Sequence, residues 1–340
     1  MPYSHHSHSG SYCKHAHDTL ESVVSTAIDK RFNTYCLTEH APRLSNKLLY
    51  PEEEELGMTV SSLFEQFDSF VKHARDIQHR VNEDCSSKTK ILVGYESEGG
   101  IDSEHLEMCL KLQKDMDADV TVGSVHHVNG IDIDFDQKSW DNAYEEYGGL
   151  RGLYLEYYNL VYRMIETLKP SVIAHFDLIR LFANTEIEKD GRLVKITYEE
   201  KLNVDIKRDW PDVWRIISNC IDLIIKNNLT VELNSAAIRK GWTTPYPKDD
   251  ILKEMISKNV KFVMSDDSHG NDQVGLNFQY VLEYIREMGI RTIWYYDLEE
   301  VGNPNVRNGI GKVVLKNVKC EELIENEFWR TNYPSICLEK

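Results

Sequence analysis

Hydrophobic positions along this chain follow two alternating periods. Residues 19–32, 60–81, 103–116, 154–167, 213–226, 248–259 and 279–288 repeat apolar side chains at three- and four-residue steps, as in Leu20, Val23, Val24, Ala27 and Ile28. That spacing predicts amphipathic helices. Between them lie segments of strand character at 4–8, 34–40, 90–98, 118–128, 170–177, 229–235 and 261–269. Strands alternating with helices predict an α/β fold, either a parallel sheet or a closed barrel. The polar stretches 41–60 and 129–149 read as loops over one end of the strands. Residues 292–296 form a further short apolar run, and residues 300–340 read as a tail wrapping the outside.

Composition narrows the class. Of 340 residues, 41% are hydrophobic and 28% charged, which suits a single large domain that buries a core. The apolar runs are too short to span a bilayer and no basic-then-apolar leader opens the chain, so a cytoplasmic protein without membrane contact is expected. Seven cysteines, odd in number and irregularly spaced, fit reduced cytosolic thiols better than a disulfide framework. A net charge of -17 argues against a nucleic-acid partner held by a broad basic surface. It would also repel an anionic substrate unless the site holds its own positive charge, which bound metal ions supply.

The chemistry sits at the ends of the strand segments. Five of the thirteen histidines fall in the first seventeen residues, and alternation places His6 and His8 on one side of an extended segment with His5 on the other. An expression tag would explain such a start, but a tag has no reason to match ligand residues elsewhere. The segment 34–40 ends in His40, 90–98 carries Glu96 and Glu98 on one face, 118–128 reaches His126 and His127, and 170–177 reaches His175 and Asp177. The last segment closes with Asp267 and His269, two apart like His6 and His8. Taken singly, each has a bland explanation: a satisfied histidine, or carboxylates on a solvated edge. Core packing puts charged groups at such places only occasionally, so their recurrence in six of seven segments is the signal. In β/α barrels the C-terminal strand ends form the active-site face.

The ordered set H-x-H, C-x-H-A, T-E-H, G-x-E-x-E, G-S-V-H, A-H-F-D and S-D-D-S-H resembles the PHP (polymerase and histidinol phosphatase) family over about residues 1–300. The stretches T-Y-C-L-T-E-H and G-S-V-H-H-V-N-G-I-x-I-D-F-D resemble its fungal-type histidinol-phosphatases. This resemblance implies a distorted (β/α)7 barrel over residues 1–300, with 301–340 as an extension packed on it. It implies three divalent metal ions, Zn, Fe or Mn, at the C-terminal end of the strands. His6, His8, Glu96 and Asp267 would hold the first. Glu96, His126 and His175 would hold the second, and His15, His40 and His269 the third, with His17 able to stand in for His15.

The implied reaction is hydrolysis of a small phosphate monoester, L-histidinol phosphate, by a hydroxide shared between metals. Asp267, His269, Arg239 and Asp177 are the catalytic candidates. Arg239, just beyond the sixth strand segment, is the best candidate for a fork onto phosphate, with Arg43 second. Glu98, Asp177 or Asp134 could receive the substrate's ammonium group, and His127, Asp177 or a metal-bound water could protonate the leaving group. Cys13 reads as structural. Three rivals remain: an amidohydrolase-type hydrolase, a phosphoesterase or nuclease of the same family acting on another phosphate ester, and a metal-stabilised scaffold without turnover.

Overall fold

Consecutive strands of the chain lie side by side, with helices crossing over on the outside. The computed structural model describes residues 2–84, 86–189, 191–299 and 312–334. Its frame is β1 (Tyr3–Ser4), β2 (Thr34–Leu37), β3 (Lys90–Glu98), β4 (Val120–Ser124), β5 (Val172–Ile173), β6 (Thr230–Asn234) and β7 (Lys261–Ser265), all parallel and in sequence order. The sheet curls until its ends meet. Ser7 bridges Ser268, the Asp267 amide donates to His6 O at 3.1 Å, and the His8 amide donates to Ser268 O at 2.7 Å. The result is a nearly closed, distorted (β/α)7 barrel.

Alternation of side chains sorts the residues of each strand. Strand β3 sends Ile91, Val93 and Tyr95 to the helices, and puts Leu92, Glu96 and Glu98 on the barrel side. Strand β6 does the same with Val231 and Leu233 outside and Glu232 and Asn234 inside. Apolar residues fill the lower barrel: Cys36, Leu92 and Val120 in one cluster, Val122, Val172, Ala174 and Val263 in another. An antiparallel ribbon, Thr292–Leu298 with Val313–Lys319, packs Trp294, Tyr296 and Leu298 onto these clusters. The Tyr296 amide donates to His5 Nε2 at 3.1 Å, so His5 faces this floor and not the upper rim. Charged side chains are thereby confined to the top, where they can find partners.

Helices form where the periodicity places them, within a few residues. Thr19 caps Leu20–Asp29 by accepting from the Ser22 amide, and Leu20, Val23, Val24 and Ala27 are buried. Three expectations need correction. Residues 41–60 are not all loop: they include a 3-10 turn, Asn46–Leu48, and a helix, Pro51–Glu55. Residues 129–149 contain half of a small hairpin (His127–Val128 with Ile131–Asp132) and the helix Gln137–Glu146, which Asp136 caps and which buries Trp140 and Ala143. The fourth strand stops at Ser124 instead of running to Val128. Leaving the ladder there frees His126 and His127 from strict alternation, and both rings reach Glu98.

Residues 301–311 and 335–340 of the expected tail lie outside the described residues. The described part ends in a helix, Glu327–Asn332, that buries Phe328 and Trp329. Phe328 meets Phe32 and Phe278 at ring-centroid distances of 4.9 and 6.3 Å. Trp329→Ala is therefore expected to destabilise the whole barrel by about 3–5 kcal/mol. Chemical denaturation measures this, and a loss under about 1 kcal/mol would make the tail an appendage. Among the described residues, no helix is long and apolar enough to cross a membrane.

Candidate metal centre

Glu96, near the top of β3, is the hub. Its Oε1 lies 3.3 Å from His6 Nε2, 3.2 Å from His126 Nε2 and 3.1 Å from His175 Nε2. Its Oε2 lies 3.4 Å from His8 Nε2 and 2.8 Å from His40 Nδ1. Asp267, after β7, closes the other side: Oδ1 is 3.6 Å from His6 Nε2 and 3.5 Å from His8 Nε2. The two ring nitrogens of His6 and His8 are 3.1 Å apart. His15, His40 and His269 form an adjoining group, and Cys13 Sγ joins it, 3.1 Å from His15 Nε2.

These spacings suit a cation. With bonds of about 2.1 Å, donor atoms around a tetrahedral zinc-sized ion sit about 3.4 Å apart. The Glu96, Asp267, His6 and His8 atoms fall in that range. His40 Nε2 is buried and has no hydrogen-bond partner, as a nitrogen kept free for a ligand would be. Histidine and carboxylate donors of this kind bind divalent metal ions.

A second layer fixes the rings. His6 Nδ1 lies 3.3 Å from Glu232, His8 Nδ1 3.5 Å from Glu39, and His126 Nδ1 3.0 Å from Glu98. For His6 and His126, donating Nδ1–H to a carboxylate leaves the lone pair on Nε2, toward the cluster, while His8 Nδ1 only faces the Glu39 charge without a hydrogen bond. His269 Nδ1–H donates to Asp267 O at 3.0 Å. Glu232 and Glu39 were not foreseen as site residues. Glu39 stands inside T-E-H, and Glu232 is a carboxylate on the inner face of an apolar strand, so the signal lay in an acid where packing predicts Val or Ile.

Charge divides the centre in two. Burial alone would disfavour protonated His6 and His126, yet the carboxylates around them, Asp267 and Glu96 for His6 and Glu96 for His126, hold both well above the usual histidine range. Glu96 and Asp267 are buried too, but the histidines hold them well below the usual carboxylate range. The carboxylate-poor group behaves oppositely. Burial, and then the neighbouring His40, push His15 down to about 2, and burial with His8 pushes His269 well down. Its rings are neutral, the form that offers a lone pair.

Above the centre opens a cavity of about 330 Å³, within the small-molecule range. His15, His40, Glu96, His126, His175, Asp267 and His269 reach it, as do Arg239, Lys240, Asp132 and Asp134. Several candidates stay away from it. Arg43 is buried, paired with Glu53 and stacked on Tyr50. Asp177 is fully buried, accepting from the Lys248 amide at 2.9 Å and lying 3.3 Å from Arg180. Glu98 accepts from His126 and His127, and His127 is buried behind it. His17 is exposed and paired with Asp272, outside the cluster.

Comparisons with known proteins agree with this architecture. The PHP domain model matches residues 4–236. The histidinol-phosphatase of Saccharomyces cerevisiae is 34% identical over 96% of this chain and 99% of its own length. The probable histidinol-phosphatase of Schizosaccharomyces pombe is 35% identical over 94% of this chain and 96% of its own. Among solved structures, the Listeria monocytogenes protein hisK superposes with a TM-score of 0.64 at 22% identity, covering 82% of this chain and 98% of that one. The Lactococcus lactis subsp. lactis histidinol phosphate phosphatase, solved with zinc, L-histidinol and phosphate, gives a TM-score of 0.54 at 15% identity over 85% of this chain and 93% of that one. A rim of histidines and carboxylates on a seven-stranded barrel, matched by a family model and by relatives along nearly the whole length, places this chain in the PHP domain family.

Proposed function

We propose that this chain hydrolyses L-histidinol phosphate to L-histidinol and phosphate, using three divalent cations at the top of the barrel. The observation that carries the chemistry is the position of Glu96 within 3.4 Å of ring nitrogens from five histidines. The substrate is supported by the two histidinol-phosphatases that the chain matches almost end to end. His6, His8, Glu96 and Asp267 would hold one cation, Glu96, His126 and His175 the second, and His15, His40 and His269 the third. When bound, such ions supply concentrated positive charge for phosphoryl oxygens and lower the pKa of water.

The chain's own groups do the rest. The His15, His40 and His269 set brings no carboxylate of its own, so a cation there would keep more of its charge toward a phosphate dianion than one beside Glu96 and Asp267. Arg239 Nη2 donates to Asp267 O at 3.1 Å, which anchors the guanidinium on the cavity wall with donors left for phosphate oxygens. Lys240 adds positive charge beside it. Glu232, Glu39 and Glu98 hold rings in place without touching substrate.

Purified protein supplied with divalent metal is expected to release phosphate from L-histidinol phosphate, and to lose more than about 99% of that activity after exhaustive chelation, since the ions supply several kcal/mol of charge stabilisation. A malachite-green assay with an oligonucleotide in parallel checks it. Persistent activity in metal-free protein, or preference for the oligonucleotide, would overturn the reading.

A further inference from the structure

L-Histidinol phosphate is a phosphate ester with a primary ammonium group two carbons from the ester oxygen. If the function proposed above holds, on which this inference rests, something in the cavity must distinguish it from phosphate esters without an amine. The acidic candidates separate clearly. Glu98 is engaged on all sides, by the His126 amide and ring, the His127 ring and the Gly100 amide. Asp177 is buried under Arg180 and the Lys248 amide. Asp132 Oδ1 accepts from the amides of Asp134 and Phe135, at 3.0 and 2.8 Å, and its other oxygen lies 3.9 Å from His127 Nε2.

Asp134 differs from all of these. It lines the cavity, and among the described residues its carboxylate makes no hydrogen bond or ion pair. The turn built on Asp132 fixes its backbone at the cavity wall and leaves its carboxylate unpaired. The cavity is also polarised. Arg239 stands beside Asp267 and His269, whereas Asp134 stands by His126. Next to Asp134, the half-exposed ring of Phe135 supplies an apolar wall. A cationic group, an anionic group and an aromatic neighbour match a phosphate, an ammonium and an imidazole.

We propose that Asp134 receives the ammonium group of the substrate and thereby selects amine-bearing phosphate monoesters, with Asp132 as the residue that positions it. The carboxylate does not act on the scissile bond. A charge-assisted hydrogen bond of this kind changes affinity by roughly 10- to 100-fold.

The test compares wild type and Asp134→Asn, both metal-loaded, on L-histidinol phosphate and on its desamino analogue, 3-(imidazol-4-yl)propyl phosphate. The variant is expected to lose roughly 10- to 100-fold in kcat/KM on the amine substrate, through KM, and to change by less than about threefold on the analogue. Product inhibition gives a second readout: the L-histidinol constant rises by the same factor and that of inorganic phosphate stays put. Equal losses on both substrates, or no loss on either, overturn the assignment while leaving the proposed function standing. A wild-type enzyme inactive on L-histidinol phosphate overturns the function itself and this inference with it.

Discussion

Glu96→Gln is expected to reduce turnover by about 10³-fold or more and to strip metal from the protein. The amide is nearly isosteric, so the effect is one of charge and donor chemistry. Glu96 touches ring nitrogens from the segment after β1, from the loop after β2, from beyond β4 and from beyond β5 with two oxygens. A Gln side chain keeps one acceptor and turns an N–H toward rings whose lone pairs face the centre. Losing several kcal/mol of charge stabilisation at about 1.36 kcal/mol per decade gives the stated factor. Elemental analysis of the variant should show fewer ions per chain than wild type, with an unchanged far-ultraviolet spectrum. Full metal content with a rate within a few-fold of wild type would remove Glu96 from the centre.

The sequence made the frame legible for a physical reason. A parallel barrel buries both faces of every strand, so its strands stand out as apolar runs, and helices of period 3.6 separate them. It also made legible which side chains meet, because they sit where apolar runs give way to polar ones. What stayed hidden were the second-layer acids. Glu232 and Glu39 bind nothing at a strand end; they back His6 and His8 from within or beside strands, a relation between residues 226 and 31 positions apart that no local pattern records. The reassignment of Arg43 and Asp177 has a similar origin. Both looked available because they follow His40 and His175, yet Glu53 and Arg180 hold them away from the cavity. Two local effects also escaped: the helix at 137–146, masked by its many polar residues, and the end of β4 at Ser124, which lets two adjacent histidines share one carboxylate.

His269→Ala is expected to lower turnover by about 10²- to 10³-fold while leaving stability nearly unchanged, and this contrast separates a role in the chemistry from a role in the fold. The ring stands at the mouth of the cavity with 17% of its side chain exposed, so its removal opens no sealed void. It also leaves no buried group stranded. Its Nδ1–H goes with it, and the Asp267 carbonyl it served still accepts from Arg239. What is lost is one neutral donor from the group that includes His15 and His40, the group without a carboxylate. Under the proposed function a cation held by that group would offer an anionic phosphate the least compensated positive charge, so the loss falls on turnover and on phosphate affinity together. The matched measurements are kcat, the inhibition constant of inorganic phosphate, the metal content and the unfolding midpoint. One ion fewer per chain, a weaker phosphate constant and a midpoint within about 2 °C of wild type, the shift expected for a change under about 1 kcal/mol, is the expected set. An unchanged rate would take His269 out of the site, and a collapsed midpoint would make it a structural residue.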